Sequence, residues 1–246
     1  MDITILYEDA DVVVIDKPVG LAVHGDGRST RPTVADWHGA RIPAVCAVGE
    51  PMVLPSGAVL PRPGVVHRLD TETSGVLVLA KNEEAFAHLK RQFHDRLAEK
   101  EYRAFAYGRL KEERGEIDRP IGRSAKDFRL RSAQRGARGV LRQAVTSFRL
   151  LGASPAYSYL SLSPRTGRTH QLRVHLKAIN HPIVGDRLYA PAQVARDRSA
   201  LGFSRLALHA HTLTLLLPSG ERATFTAPLP ADFVAAEAAL GEEAAA

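Results

Sequence analysis

Residues 76–80 read Val-Leu-Val-Leu-Ala, an unbroken apolar run introduced by Thr71, Thr73, Ser74 and Gly75. A short run of this kind, bounded by turn formers, reads as a strand buried on both faces. A chain of 246 residues has ample core to surround it, in one large domain or two small lobes. His67, Arg68 and Asp70 lie between this turn and a second apolar pair, Val65 and Val66. A carboxylate beside a buried strand loses solvation, and its pKa rises unless a partner holds the charge. Asp70 therefore either caps the turn that follows or takes part in chemistry. The local residues weigh the two equally.

The rest of the chain is mostly strand-like. An opening strand, a turn at Glu8–Asp11 and a second strand, Val12–Ile15, are stopped by "DKPVG". The "HGDG" that follows Val23 lacks a strand–helix setting and a P-loop lysine, so nucleotide binding is rejected there. Prolines punctuate 28–63, leaving room for a short helix near Val34–Trp37 in an otherwise irregular excursion. Asn82 is an N-cap for a helix predicted through about Ala98, with Phe86, Leu89, Phe93 and Leu97 facing the core. Residues 101–110 alternate, placing Tyr102, Ala104 and Ala106 on one strand face. Further strands are expected near Val145–Leu151, Ala156–Leu162, 206–217 and 222–226. Thr169 is the candidate N-cap of a second helix, predicted to run to about Ile179. Leu172, Leu176 and Ile179 form its apolar stripe, with His170, Arg173 and Lys177 on another face. Strands with two substantial helices inserted argue for an α+β fold. One domain is expected over 1–233, followed by a frayed tail, 234–246.

Composition narrows the function. A single cysteine, Cys46, excludes a disulfide framework and thiolate metal clusters, and suits a reducing cytoplasm. No stretch reaches the roughly 18 apolar residues needed to span a bilayer. His170 and His175 miss the spacing of a helical zinc pair, and no metal is expected. There is no Gly-x-Ser-x-Gly nucleophile elbow. Asp70 and Glu72 are too close in sequence to straddle a sugar ring as a glycosidase pair. The net charge of +6 and pI near 9.7 favour a polyanionic partner. Nine basic residues lie between 119 and 149, among them Arg123, Arg129 and Arg131, and Asp127 is the only acid there. Arginine enrichment on this scale favours phosphate contacts over a merely solvated loop.

Several motifs, in order, resemble the RluA family of pseudouridine synthases. They are "RPGVVHRLDTETSGVLVLAKN" (62–82), "KEYRAFAYG" (100–108), "GRTHQLRVHLKAINHPIVGDRLY" (167–189) and the C-terminal stretch 206–233, with "ILYEDADVVVIDKPVGLAVH" (5–24) matching the family's first strands. The resemblance implies a mixed, largely antiparallel sheet with flanking helices and a central active-site cleft. It implies isomerisation of uridine to pseudouridine in ribosomal RNA, transfer RNA or both, without cofactor or metal. By the match Asp70 is the catalytic aspartate, Tyr102 packs on the uracil, and Arg173 pairs with the aspartate. Arg68 fills the gap left by the target base. His67, Arg168, His170, Arg123, Arg129 and Arg131 are the remaining expected contacts to RNA or to the loop that receives it. The catalytic pattern begins almost at Ile3, so the compact form without a separate N-terminal RNA-binding domain is expected, as a cytoplasmic monomer. The rivals are a non-catalytic RNA-binding factor on the same scaffold and a carboxylate hydrolase acting on nucleosides or sugars.

Overall fold

Val12, Val13, Val14 and Ile15 are β-branched and fully buried, and they set the first sheet around themselves. The computed structural model describes every residue except Pro55, Phe128, Arg129, 192–199 and Ala246. In chain order the first elements are β1 (Thr4–Glu8), β2 (Val12–Lys17), α1 (Val34–Arg41), β3 (Met52–Val53), β4 (Val59–Leu60), β5 (Ser74–Ala80) and α2 (Glu83–His94). They continue with β6 (Glu99–Tyr107), β7 (Arg114–Asp118), β8 (Ile121–Arg123), β9 (Arg131–Ser132), β10 (Arg138–Arg142), β11 (Val145–Ala153) and β12 (Tyr157–Pro164). The last are α3 (Gln171–Ala178), β13 (Leu208–Leu216), β14 (Arg222–Thr226) and α4 (Ala231–Ala245). The class is mixed α+β with largely antiparallel pairing, as expected. Within the span expected to be one domain, the chain packs as two compact units, 1–99 with 210–228 and 100–209 with 229–246. Among the described residues no helix is long and apolar enough to cross a membrane.

In the first unit β2 pairs antiparallel with β1 and β5, and β13 lies beside β5 and pairs with β14. The β1–β2 turn is closed by Asp9, whose Oδ1 accepts the N–H groups of Asp11 and Val12 at 2.8 Å each. All seven residues of β5 are buried, as the unbroken apolar run requires. The helix α2 covers this sheet with Phe86 and Leu89, and the Asn82 side chain caps it by accepting the Ala85 N–H at 2.9 Å. It stops four residues before the predicted end. Arg96 adopts the left-handed conformation (φ 63°), and the Leu97 N–H turns back to the Gln92 carbonyl at 2.9 Å. Leu97, expected in the core, is 60% exposed because it lies beyond that turn. The proline-rich excursion holds α1, closed by a capping box between Thr33 and Asp36, and the small hairpin β3–β4.

The second unit has an antiparallel sheet in the order β6-β12-β11-β7 and a smaller one in the order β10-β8-β9. Phe105, Leu160, Leu162, Leu176 and Phe233 lie at the centre of its core. The helix α3 is shorter than predicted and begins after His170, not Thr169, because His170 is left-handed (φ 56°) and supplies no side-chain cap. It is also buried on nearly every side, including Arg173, which was placed with His170 and Lys177 on a face apart from the apolar stripe, and His175. Of segment 234–246, expected to fray, the described residues 234–245 continue α4, whose Phe233, Ala236 and Leu240 are buried in the same core.

Gly75 at the start of β5 has φ 112°, and a Cβ there would overlap the Ala210 carbonyl oxygen of β13. Gly75→Ala is expected to cost about 2 kcal/mol or more through backbone strain and this overlap. Urea unfolding measures it, and an unchanged midpoint would show that β13 yields freely to a methyl group.

Candidate active site

Residues 65–73 form the loop that leads into β5, and the first unit grips it from several sides. The Thr73 N–H donates to the Asp70 carbonyl at 3.0 Å, closing a turn through the backbone, while buried Leu69 anchors the loop from inside. Asp70 itself is half-buried. Lys17, at the end of β2, is fully buried, and its ammonium donates to the carbonyls of Pro18 (2.8 Å), Leu21 (2.8 Å) and Thr71 (3.3 Å). The Gly20 N–H reaches the same Thr71 carbonyl at 2.8 Å. "DKPVG" is therefore a clamp on the residue next to Asp70. His67 lies flat on Phe93, with ring centroids 4.3 Å apart, and its Nε2 accepts the Val78 N–H at 3.1 Å. These contacts make it a strut between the loop, β5 and α2. Arg68 is exposed, and its Nη1 donates to His24 Nε2 at 3.1 Å.

In the second unit, Arg173 projects from α3 into a buried fork with Asp186. Its Nε donates to Oδ2 at 2.8 Å and its Nη2 to Oδ1 at 2.7 Å. The same Oδ1 accepts the N–H groups of Leu188 and Tyr189 at 3.0 Å. The Arg173 guanidinium lies over the Tyr189 ring, 5.0 Å from its centroid. The Tyr189 hydroxyl accepts the Arg131 N–H at 3.1 Å and shares a hydrogen bond with His170 Nδ1 at 2.7 Å. Arg168 frames the turn before α3, donating its N–H to Gln171 Oε1 (3.1 Å) and its Nε–H to the Gln143 carbonyl (3.2 Å). Tyr102 stands half-buried on β6 opposite Leu162 of β12. Ala104 and Ala106, on the same strand face, are fully buried core residues.

Of the expected site residues, His67, Arg68 and Asp70 share one loop, and Arg173, His170 and Arg131 gather around Asp186 and Tyr189. Arg123 stands on β8, and Arg129 lies outside the described residues. Lys17, His24, Asp186 and Tyr189 went unassigned in the sequence. Each carries a signal in retrospect: a lysine closing an apolar strand, a histidine closing another apolar run, and an Asp-x-x-Tyr step just after a helix.

A family model described as RNA pseudouridylate synthase matches residues 11–178. The chain is 39% identical to an uncharacterized RNA pseudouridine synthase of Synechocystis sp., over 93% of this chain and 66% of that protein. It is also 39% identical to the ribosomal large subunit pseudouridine synthase D of Nitrosomonas europaea, over 94% of this chain and 63% of that one. The chain thus spans about two thirds of the length of these relatives. Among solved structures it resembles human RNA pseudouridylate synthase domain containing 4, with a TM-score of 0.73 and 28% identity over 97% of this chain and 93% of that one.

Three buried histidines are held neutral. Burial, reinforced by the charges of Arg68 and Arg62, lowers the His24 pKa, while its Nδ1–H donates to the Gly25 carbonyl at 2.8 Å. Burial likewise lowers His38, whose Nε2–H meets the Ala80 carbonyl at 3.0 Å while its buried Nδ1 has no partner among the described residues. Burial also lowers His175, set between the Thr146 hydroxyl and the Arg119 carbonyl at 2.9 Å each. In all three the folded pKa lies below the ordinary value of 6.5, so the unfolded chain takes up protons first as pH falls. Their contribution is complete above that value and shrinks below it, by up to about 1.4 kcal/mol per pH unit for each group. Chemical denaturation at pH 7.5 and 5.5 should therefore show lower stability at the acid end. Equal stability at both would mean that these rings are protonated in the folded protein.

Proposed function

Because the chain belongs to the RNA pseudouridylate synthase family, we propose that it converts uridine to pseudouridine within structured RNA. The supporting observation is that the family match over 11–178 takes in Asp70, Tyr102 and Arg173 together. A binding protein has no need of all three. One relative is named for the ribosomal large subunit, which favours ribosomal RNA as the substrate, with transfer RNA as the further candidate. The enzyme acts in the cytoplasm as a monomer.

The reaction breaks the bond between N1 of uracil and C1′ of ribose, turns the base, and joins C5 to C1′. C5 gives up a proton and N1 gains one, so the product is an isomer and the balance requires no cofactor. Asp70 supplies the carboxylate that acts as the glycosidic bond opens. Its support is the turn gripped by Lys17 and by the Gly20 N–H, which limits the freedom of the neighbouring backbone. Tyr102 packs on the uracil and takes the C5 proton. Arg173, the electrostatic partner assigned by the family resemblance, is supported by the Asp186 fork, which fixes its guanidinium plane. Arg68 takes the place of the base drawn out of a stem, where a guanidinium plane restores part of the lost stacking. Its exposure and its single ring-nitrogen acceptor on His24 suit a side chain that must swing.

Asp70→Asn is expected to lower tritium release from RNA carrying 5-tritiated uridine by about a thousandfold or more, with RNA binding retained. Undiminished release would remove Asp70 from the chemistry. Arg68→Ala is expected to reduce turnover far more for a uridine inside a stem than for an unpaired one, because only the former incurs the unstacking cost of a few kcal/mol. Equal losses on the two substrates would argue against the gap-filling role.

A further inference from the structure

The small sheet β10-β8-β9 carries a feature that the reaction itself does not use. Its register sets Arg138 of β10 opposite Arg123 of β8, and Arg123 opposite Arg131 of β9. Directly opposed residues in a sheet point to the same face, so three guanidinium groups form one row across three strands. Two inter-strand steps make that row about 10 Å long. Like charges placed opposite each other destabilise a sheet, and this one is short, with three residues in β8 and two in β9. Among the described residues no carboxylate pairs with any of the three. Asp127, the only acid between 119 and 149, is not bonded to them.

Neighbouring arginines have other occupations. Arg119 donates to the Ala178 carbonyl at 2.7 Å and closes the end of α3, and Arg168 holds the turn before that helix. Charges on an edge strand often serve to block pairing with another chain. That purpose would be met by Arg138 and Arg142 of β10 alone, and it leaves the arginine on the central strand unexplained. The row is also firmly rooted. Ile121, Ala133 and Ala144 pack with Val174 and Ala178 of α3 and with Tyr189, and the Arg131 N–H is fixed to the Tyr189 hydroxyl. Beside it on β10, Val140 is 80% exposed, whereas Leu141 lies over Gly122 on the opposite face. An exposed apolar side chain beside arginines suits a polyanion that also carries sugar and base surface, not a simple inorganic anion.

We propose that Arg138, Arg123 and Arg131 form a track for consecutive phosphates of one RNA strand, with Val140 against its sugars. The track rests on the proposed RNA reaction for its ligand, but not on the chemistry assigned to Asp70. It binds backbone and reads no base, so it adds affinity evenly across sequences.

The test measures binding of a labelled stem-loop RNA with 5-tritiated uridines as a function of potassium chloride concentration. It compares the wild-type chain with the triple variant Arg123→Gln, Arg131→Gln, Arg138→Gln. Loss of three phosphate contacts should reduce the slope of log affinity against log salt by about 2 to 3. The corresponding triple lysine variant should keep most of the slope, since each lysine still displaces a counterion. Without RNA, the glutamine variant should melt at or above the wild-type temperature, because it relieves like-charge repulsion. An unchanged slope overturns the track, and so does a glutamine variant that melts well below wild type, which would make the row structural. Tritium release separates the two readings. A wild-type chain that releases none while the row still sets the salt slope would sink the proposed reaction and leave the track standing. Full Asp70-dependent release with an unchanged slope would do the reverse.

Discussion

Among the described residues two cations, Lys17 and Arg173, are withdrawn from water, and much of the local architecture answers the need to surround them with oxygen. A buried ammonium or guanidinium without partners costs several kcal/mol, so the backbone around it must be organised for it. Lys17 obtains three carbonyls, and one of them, Thr71, belongs to the turn beside Asp70. Arg173 obtains the whole carboxylate of Asp186, and that carboxylate in turn gathers the N–H groups of Leu188 and Tyr189. Each cation thus converts a loop with few apolar anchors into a fixed piece of structure. Replacing either by an apolar residue would remove the reason for the surrounding oxygens to face inward.

The elements that were legible in the sequence are those whose burial is carried by apolar side chains. β2, β5 and α2 follow directly from their Val, Leu and Phe patterns, and the Asn82 cap sits where its residue type placed it. One kind of departure lies where polar groups are buried by pairing with each other, which periodicity alone does not show. His175 is buried between the Thr146 hydroxyl and the Arg119 carbonyl. Arg173, set in sequence on a face apart from the apolar stripe, is buried on Asp186. Both lie inside because their partners are 13 to 56 residues away, beyond the reach of any local window. The end of α2 failed for another reason: an arginine occupies the left-handed position that usually signals itself by glycine.

The same reasoning sorts the excess of basic residues, which a net charge of +6 cannot do alone. Some arginines are structural cations with assigned oxygens, namely Arg119 and Arg173. One, Arg68, rests on a neutral imidazole, an acceptor weak enough to be given up for a phosphate or a base plane. Others, Arg123, Arg131 and Arg138, are set against each other by strand register. Of these three groups, the last two have charge left to offer a polyanion. An interface for RNA is therefore defined less by where arginine is abundant than by where its charge is unanswered.

The asymmetry between the fixed and the mobile parts bears on the chemistry. A base extracted from a stem arrives with a large loss of stacking, so the group that meets it has to be in place beforehand, whereas the group that replaces it has to move. In the proposed reaction these demands fall on Asp70 and Arg68, and the neighbours His67 and Arg68 differ accordingly in how they are held. His67 is stacked on Phe93 and hydrogen-bonded to β5, which makes it part of the mount for the loop. Arg68, one residue on, keeps its guanidinium outside with one nitrogen acceptor at 3.1 Å. In the proposed reaction a single loop thus carries the acting carboxylate and the gap-filling cation two residues apart, with the Lys17 clamp on the backbone between Asp70 and β5.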